Sequence, residues 1–511
     1  MTTEDSPGPA AGHTFDWHPE PALVDFHEPA ARAELNELGE RTWALAMEYL
    51  YDEALTRPVG PLTYPELRQA YFGSTGLPGP MPAAPMTSER VLDEIRERMA
   101  PFGYNSQHLR SFSYFTTPPL PMSAAGDALA AWLHQSVDVF HASPIGTLVE
   151  EEVAAWLRDL VGAGPDGWAV LTSGGVMANI MAMTVARDIA LPRMLDLDRP
   201  PRGAQLDGVR VYCSDQAHFS IRRALDVLGF PGDTLHVVDS DPEFRLPVGA
   251  VADAVAGDRA AGLRPLAIAA VSGSTNTGTL DPVPGLADLA EREGMWLHVD
   301  AAYGGAALLS ERDARLVEGL DRADSVTVDP HKWFFQAFDI GALVVRRRED
   351  LHGTFIRRPE YYRSNRPQDD ATSWMEYSIE GTRRFRALKL WMSWKHLGTR
   401  GFGRLVERTN DLAAELSALL RTAPDFELAV DPPDLSIVCF RHRPDGVADP
   451  VALDDHQDRL QRALEESGRA WVSTTRLRGA TWLRAGVVNH MSTTADLEAL
   501  LSSLRELASS H

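Results

Sequence analysis

The chain has 511 residues, 44% hydrophobic and 24% charged, and 72 acidic side chains against 49 basic ones give a net charge of −23. This is the composition of a folded soluble protein, and at about 150 residues per domain its length suggests two to four domains. The acidic balance argues against a general grip on nucleic acid or an anionic membrane, since both attract basic surfaces.

No apolar run approaches the ~18 residues of a membrane span. Residues 1–30 have no basic segment leading into an apolar one, so they do not read as a signal peptide. Cys213 and Cys439 are the only cysteines. They match no metal-ligand spacing, so no metal is expected, and they exclude a disulfide framework. A reducing cytoplasm is the expected compartment.

Residues 1–117 carry helical periodicity at Leu35, Leu38, Leu45 and Tyr49 and again over 91–99, with no strand signal. Such a segment cannot easily form a core alone and reads as an arm packed on a partner subunit. Residues 118–398 alternate short β-rich runs with helical ones. Strands are expected at 168–171, 209–213, 235–238, 266–271, 296–300, 325–328 and 342–346, with helices at 174–190, 219–228, 250–261 and 286–293 between them. This alternation predicts an α/β domain with a mainly parallel sheet covered on both faces. Residues 399–511 read as a small α+β domain. Helices are expected there at 404–421, 453–467 and 495–507, and strands at 435–440, 471–475 and 481–488.

Only three of the 49 basic residues are lysines: Lys332, Lys389 and Lys395. Such arginine use reflects base composition, but it makes each remaining lysine informative. Imine formation is one task that arginine cannot perform, because it needs an amine able to lose its proton.

Four segments at strand ends carry candidate chemistry. Thr172-Ser173-Gly174-Gly175-Val176-Met177-Ala178-Asn179 lies between a strand and a long helix whose free N–H groups suit a phosphate. Ser214-Asp215-Gln216-Ala217-His218 offers an imidazole that could lie against a flat ring. Asp300 ends a buried strand, where a carboxylate needs a cationic partner, and Ala301, Ala302, Gly304 and Gly305 leave room beside it. Asp329-Pro330-His331-Lys332-Trp333 offers the amine in an apolar setting. Singly these read as a turn, a solvated histidine, a helix cap or core ion pair, and a surface lysine. Together they supply what pyridoxal 5'-phosphate requires.

The segments SDQAHFS (214–220), HVDAAYGG (298–305), DPHKW (329–333) and RRFRALKLW (383–391) resemble the group II pyridoxal-phosphate decarboxylases, the family of aromatic L-amino acid and glutamate decarboxylases. The resemblance is strong over 112–400 and weaker beyond. It implies the fold-type-I transferase architecture, a homodimer with a swapped N-terminal arm, and conversion of an L-amino acid to its amine and carbon dioxide. It further implies that Lys332 binds the cofactor aldehyde as a Schiff base. Asp300 would hold the ring nitrogen, His218 would stack on the ring and meet the substrate carboxylate, and Ala302 would pack on the opposite face. Gly175, Val176, Asp329 and His331 match positions near the phosphate, Thr275 a cofactor contact, and Tyr114, Phe115 and Thr117 the substrate side.

Two departures stand out. Many members protonate the substrate carbon with a loop tyrosine, but counting back from Arg383 places Trp374 or Met375 there. Tyr361, Tyr362, Tyr377 and His218 remain as donors. Without a donor, the chemistry can divert to oxygen and yield an aldehyde. Ser136 and Asp138 fall where aromatic-substrate members carry apolar groups. Asp138 would suit a basic or polar substrate tail, or else lies on the surface.

Overall fold

A computed structural model of the protein describes residues 29–51, 57–60, 62–84, 86–357 and 371–509. These form two compact units divided at Asn105 and Ser106. The first contains helices Pro29–Tyr51, Tyr64–Phe72 and Ser88–Arg98, with no strand among the described residues. Thr63 starts the second helix by donating its N–H and hydroxyl to Glu66, a reciprocal cap that satisfies a helix end.

The second unit is built on a seven-stranded sheet. Its strands are β1 (Trp168–Thr172), β2 (Val209–Ser214), β3 (Leu235–Val238), β4 (Arg264–Val271), β5 (Trp296–Asp300), β6 (Ser325–Val328) and β7 (Gly341–Val345). Their spatial order is β1-β7-β6-β5-β4-β2-β3. Only β7 runs antiparallel to its neighbours, so the expected mainly parallel α/β sheet is present. β1, β5, β6 and β7 are buried along their whole length. That is why these strands read as apolar runs rather than alternating ones.

The chain ends in an antiparallel sheet of β8 (Phe426–Leu428), β9 (Ile437–His442), β10 (Ser473–Leu477) and β11 (Ala480–Gly486), in the order β10-β11-β9-β8. Helices Pro450–Ser467 and Thr494–Ser509 accompany it and contribute Leu460, Leu464, Leu497 and Leu500 to a second core with Val438, Phe440 and Leu483. Phe112 is buried in this core. Its N–H donates to the Trp471 carbonyl and its own carbonyl accepts from Gly486. The segment that delivers Phe115 and Thr117 is thereby fastened to the small sheet.

Candidate active site

Strands β2, β4, β5 and β6 are parallel, so their carboxyl ends share one edge of the sheet, where ligands of such folds bind. The register sets Val271, Asp300 and Thr327 side by side. His218 follows the end of β2 by four residues, and Lys332 follows the end of β6 by four.

Asp300 is buried. Its Oδ2 accepts from Asn179 Nδ2 at 2.8 Å and its Oδ1 from the Ala302 N–H at 3.1 Å. Among the described residues it makes no ion pair with lysine, arginine or histidine. Asn179, on the helix Gly175–Val185, also donates to Ser220 Oγ at 2.7 Å. Its Oδ1 accepts from Thr327 Oγ1 at 2.6 Å and meets His298 Nε2 at 3.0 Å. His298 Nδ1 meets Ser325 Oγ, which also accepts from the Trp296 indole. Burial pulls the His298 pKa down to about 4, so it is neutral and donates through Nε2. Ser220 Oγ lies 2.8 Å from His218 Nδ1. Burial also lowers the His218 pKa, while Asp300 opposes that shift and Lys332 adds to it. One buried network therefore sets both the carboxylate and the imidazole.

Lys332 Nζ lies 3.3 Å from Asp329 Oδ2 and 5.6 Å from the centre of the Phe115 ring. Thr117 Oγ1 donates to the Lys332 carbonyl at 2.7 Å. The other two lysines are engaged elsewhere: Lys389 with Asp127 and the Ala337 carbonyl, Lys395 with Glu152. Lys332 is thus the lysine at this edge.

The glycine turn fits tightly against the same segment. A Cβ on Gly175 would lie 2.7 Å from Asp329 Oδ2, and one on Gly341 would lie 2.6 Å from Asp329 Oδ1. A Cβ on Gly174 would meet His331 Cε1 at 3.0 Å. Only glycine allows this approach, which leaves the first N–H groups of the helix Gly175–Val185, including that of Val176, at the site. Asp329 Oδ1 is buried with no hydrogen-bond partner. His331, its pKa lowered by burial, accepts from the Ile340 N–H.

Thr275 lies in the loop after β4, and its carbonyl accepts from Arg484 Nε at 2.9 Å. Arg484, on β11, is buried, and its guanidinium carbon lies 4.7 Å from the centre of the Phe115 ring. It makes no ion pair among the described residues, and its Nη2 has no partner. Tyr114 is 57% exposed and packs edge-on to Trp471 at 5.2 Å.

The remaining candidates fall outside this group. Trp374 is fully buried and stacks on Trp168 at 5.7 Å. The Tyr377 hydroxyl accepts from Arg348 Nε at 3.0 Å. Tyr361 and Tyr362 lie outside the described residues. Asp138 is buried rather than on the surface, and its Oδ1 accepts from the Val139 N–H.

The residues present fit pyridoxal phosphate. A buried carboxylate without a protein cation suits a protonated ring nitrogen, a glycine cradle at a helix start suits a phosphate, and an amine stands on the same edge. The profile of the pyridoxal-dependent decarboxylase conserved domain matches residues 73–443. The chain belongs to the pyridoxal-dependent decarboxylase family. It is 33% identical to an aromatic-L-amino-acid decarboxylase of Bacillus atrophaeus, over 78% of this chain and 81% of the relative. It is 30% identical to a phenylacetaldehyde synthase of Arabidopsis thaliana, over 80% and 84%. The crystal structure of the glutamate decarboxylase domain of a diaminobutyrate-pyruvate transaminase and L-2,4-diaminobutyrate decarboxylase from Vibrio parahaemolyticus superposes with a TM-score of 0.83 at 26% identity, covering 96% of this chain and 98% of that one. This decarboxylase is therefore a carboxy-lyase of fold type I that uses pyridoxal 5'-phosphate.

Sequence reading passed over Asn179, Ser220 and Arg484. The first two lie inside the recognised segments. The third had one signal, an arginine between Leu483 and Ala485 in an apolar strand.

Proposed function

We propose that this decarboxylase converts an L-amino acid to its amine and carbon dioxide, with Lys332 holding the cofactor covalently. The observation that carries this reading is the buried, cation-free carboxylate of Asp300 on the sheet edge that also presents Lys332. Asp300 would keep a proton on the ring nitrogen. His218 and Ala302 would flank the ring, and Gly175, Val176, Asp329 and His331 would surround the phosphate, with Thr275 at the rim. Bound pyridoxal phosphate supplies the electron sink that lets the carboxyl group leave as carbon dioxide.

The substrate would lie among Phe115, Thr117, His218 and the segment of Tyr114. Arg484, buried with an unpartnered Nη2 behind Phe115, would offer positive charge to a substrate anion. Exposed Leu129, Trp132 and Leu133 on the helix Pro121–Leu133, with Ile145 and Leu148 on Pro144–Val161, support a homodimer. Two buried free cysteines fit the cytoplasm, and among the described residues no helix is long and apolar enough to cross a membrane.

A second reading is oxidative conversion to an aldehyde. It is favoured by Trp374, whose indole is no proton donor, at the position expected for the loop tyrosine, and by Tyr377, whose hydroxyl is held by Arg348. Incubating the holoenzyme with L-amino acids while scoring amine, carbon dioxide, ammonia and peroxide separates the two. Amine and carbon dioxide alone support the first reading. Aldehyde with ammonia and peroxide supports the second.

A further inference from the structure

At the opposite edge of the sheet, under the amino ends of β4, β5 and β6, lies a cavity of about 630 Å³. The size is that of a small-molecule site. Trp296 and Met295, both buried, give it an apolar floor. Four arginines line it, Arg193, Arg259, Arg264 and Arg347, against two acids, Glu293 and Asp324.

The local carboxylates neutralise these guanidiniums only in part: Glu293 pairs with Arg259 and Asp350 with Arg347. Arg264 donates to the Asp207 carbonyl and makes no ion pair among the described residues. Arg193 comes only within 3.7 Å of Asp350, which is already bonded to Arg347 at 2.9 Å. Glu293 is shared by Arg259 at 3.0 Å and Arg292 at 3.1 Å. Asp324 spends Oδ2 on the Leu297 N–H and forms no ion pair. With Asp350 counted, four arginines face three carboxylates, and Arg292 also draws on Glu293, which leaves an excess of positive charge at this cavity in a chain of net charge −23. Like-charged guanidiniums held together repel one another unless a bound anion screens them.

We propose that this cavity binds a small organic polyanion, carrying phosphate or several carboxylates beside an apolar portion that rests on Trp296. The geometry suits guanidinium forks, which meet such oxygens in pairs. The site is separate from the cofactor cleft, because it lies at the other ends of the same strands.

The test is calorimetric titration of the holoenzyme, its cofactor site filled, with pyrophosphate and in parallel with citrate at 0.15 M ionic strength (~8 Å screening length). Saturable binding near one equivalent per chain is expected. It should weaken at least tenfold in Arg193→Gln/Arg259→Gln, whose side chains are 61% and 47% exposed, so that folding is preserved. Arg264→Gln should show the same loss. Preference for pyrophosphate assigns a phosphate ligand, and preference for citrate a carboxylate one. No saturable binding of either anion, or equal affinity in wild type and both variants, overturns the proposal.

Discussion

Asn179 donates to Asp300 across 2.8 Å, and the same amide nitrogen reaches Ser220 Oγ at 2.7 Å. One side chain thus joins the carboxylate at the end of β5 to the serine that orients His218. Asn179→Ala should strip partners from Asp300, Ser220, Thr327 and His298 together. Leaving buried polar groups unpaired costs about 1–3 kcal/mol, which urea denaturation of the apoprotein would show. Cofactor affinity should fall with it, because the carboxylate loses its fixed position. Unchanged denaturation and unchanged affinity would count against the network.

Asp300→Asn keeps the shape and removes the charge. Turnover should drop roughly 10²–10³-fold, the scale of losing one preorganised electrostatic group, with a smaller change in overall stability. A variant with wild-type turnover would mean that this carboxylate does not serve the ring nitrogen.

His298 makes stability depend on pH. Its folded pKa is about 4, below the 6.5 of an exposed histidine. The unfolded chain therefore binds the extra proton between those values. The contribution is fully present above pH 6.5 and is lost as pH falls toward 4, with a slope of up to ~1.4 kcal/mol per pH unit. His108 and His456, also lowered to about 4 by burial, act in the same direction. Proton uptake on unfolding at pH 5.5 (about midway in that window) should be smaller in His298→Gln than in wild type. Equal uptake would show that His298 is already charged when folded.

Much of this site was legible because its chemistry sits in contiguous segments at strand ends. All seven strands of the large sheet were expected within two residues of their observed bounds. β8 escaped notice because it has three residues, too few to show alternation. The helix expected at 404–421 begins at Ala387. Gly398, Gly401 and Gly403 weaken the helical signal before residue 404, and the backbone leaves helical geometry at Gly398, but helix resumes beyond it. Asn179 and Arg484 could not be read, because their roles depend on contacts across 121 and 209 residues. The burial of Asp138 was equally hidden, since its carboxylate bonds its own loop rather than facing outward.

Tyr377→Phe bears on the fate of the reacting carbon. The Tyr377 hydroxyl is held by Arg348, in a cluster with Trp168 and His352. The variant should lose about 0.5–1.5 kcal/mol of stability and leave the ratio of amine to aldehyde unchanged. A shift of product toward aldehyde would make Tyr377 the proton donor and overturn its assignment to the core.

In the proposed function the Lys332 amine holds the cofactor on the sheet edge that carries Asp300. The most direct test of that role is the visible absorbance and turnover of Lys332→Ala beside wild type, each reconstituted with pyridoxal 5'-phosphate and passed through gel filtration. Wild type should retain a bound, coloured cofactor and turn over substrate, while the variant should lose both that absorbance and all turnover. A variant with the wild-type spectrum and rate would show that Lys332 does not hold the cofactor.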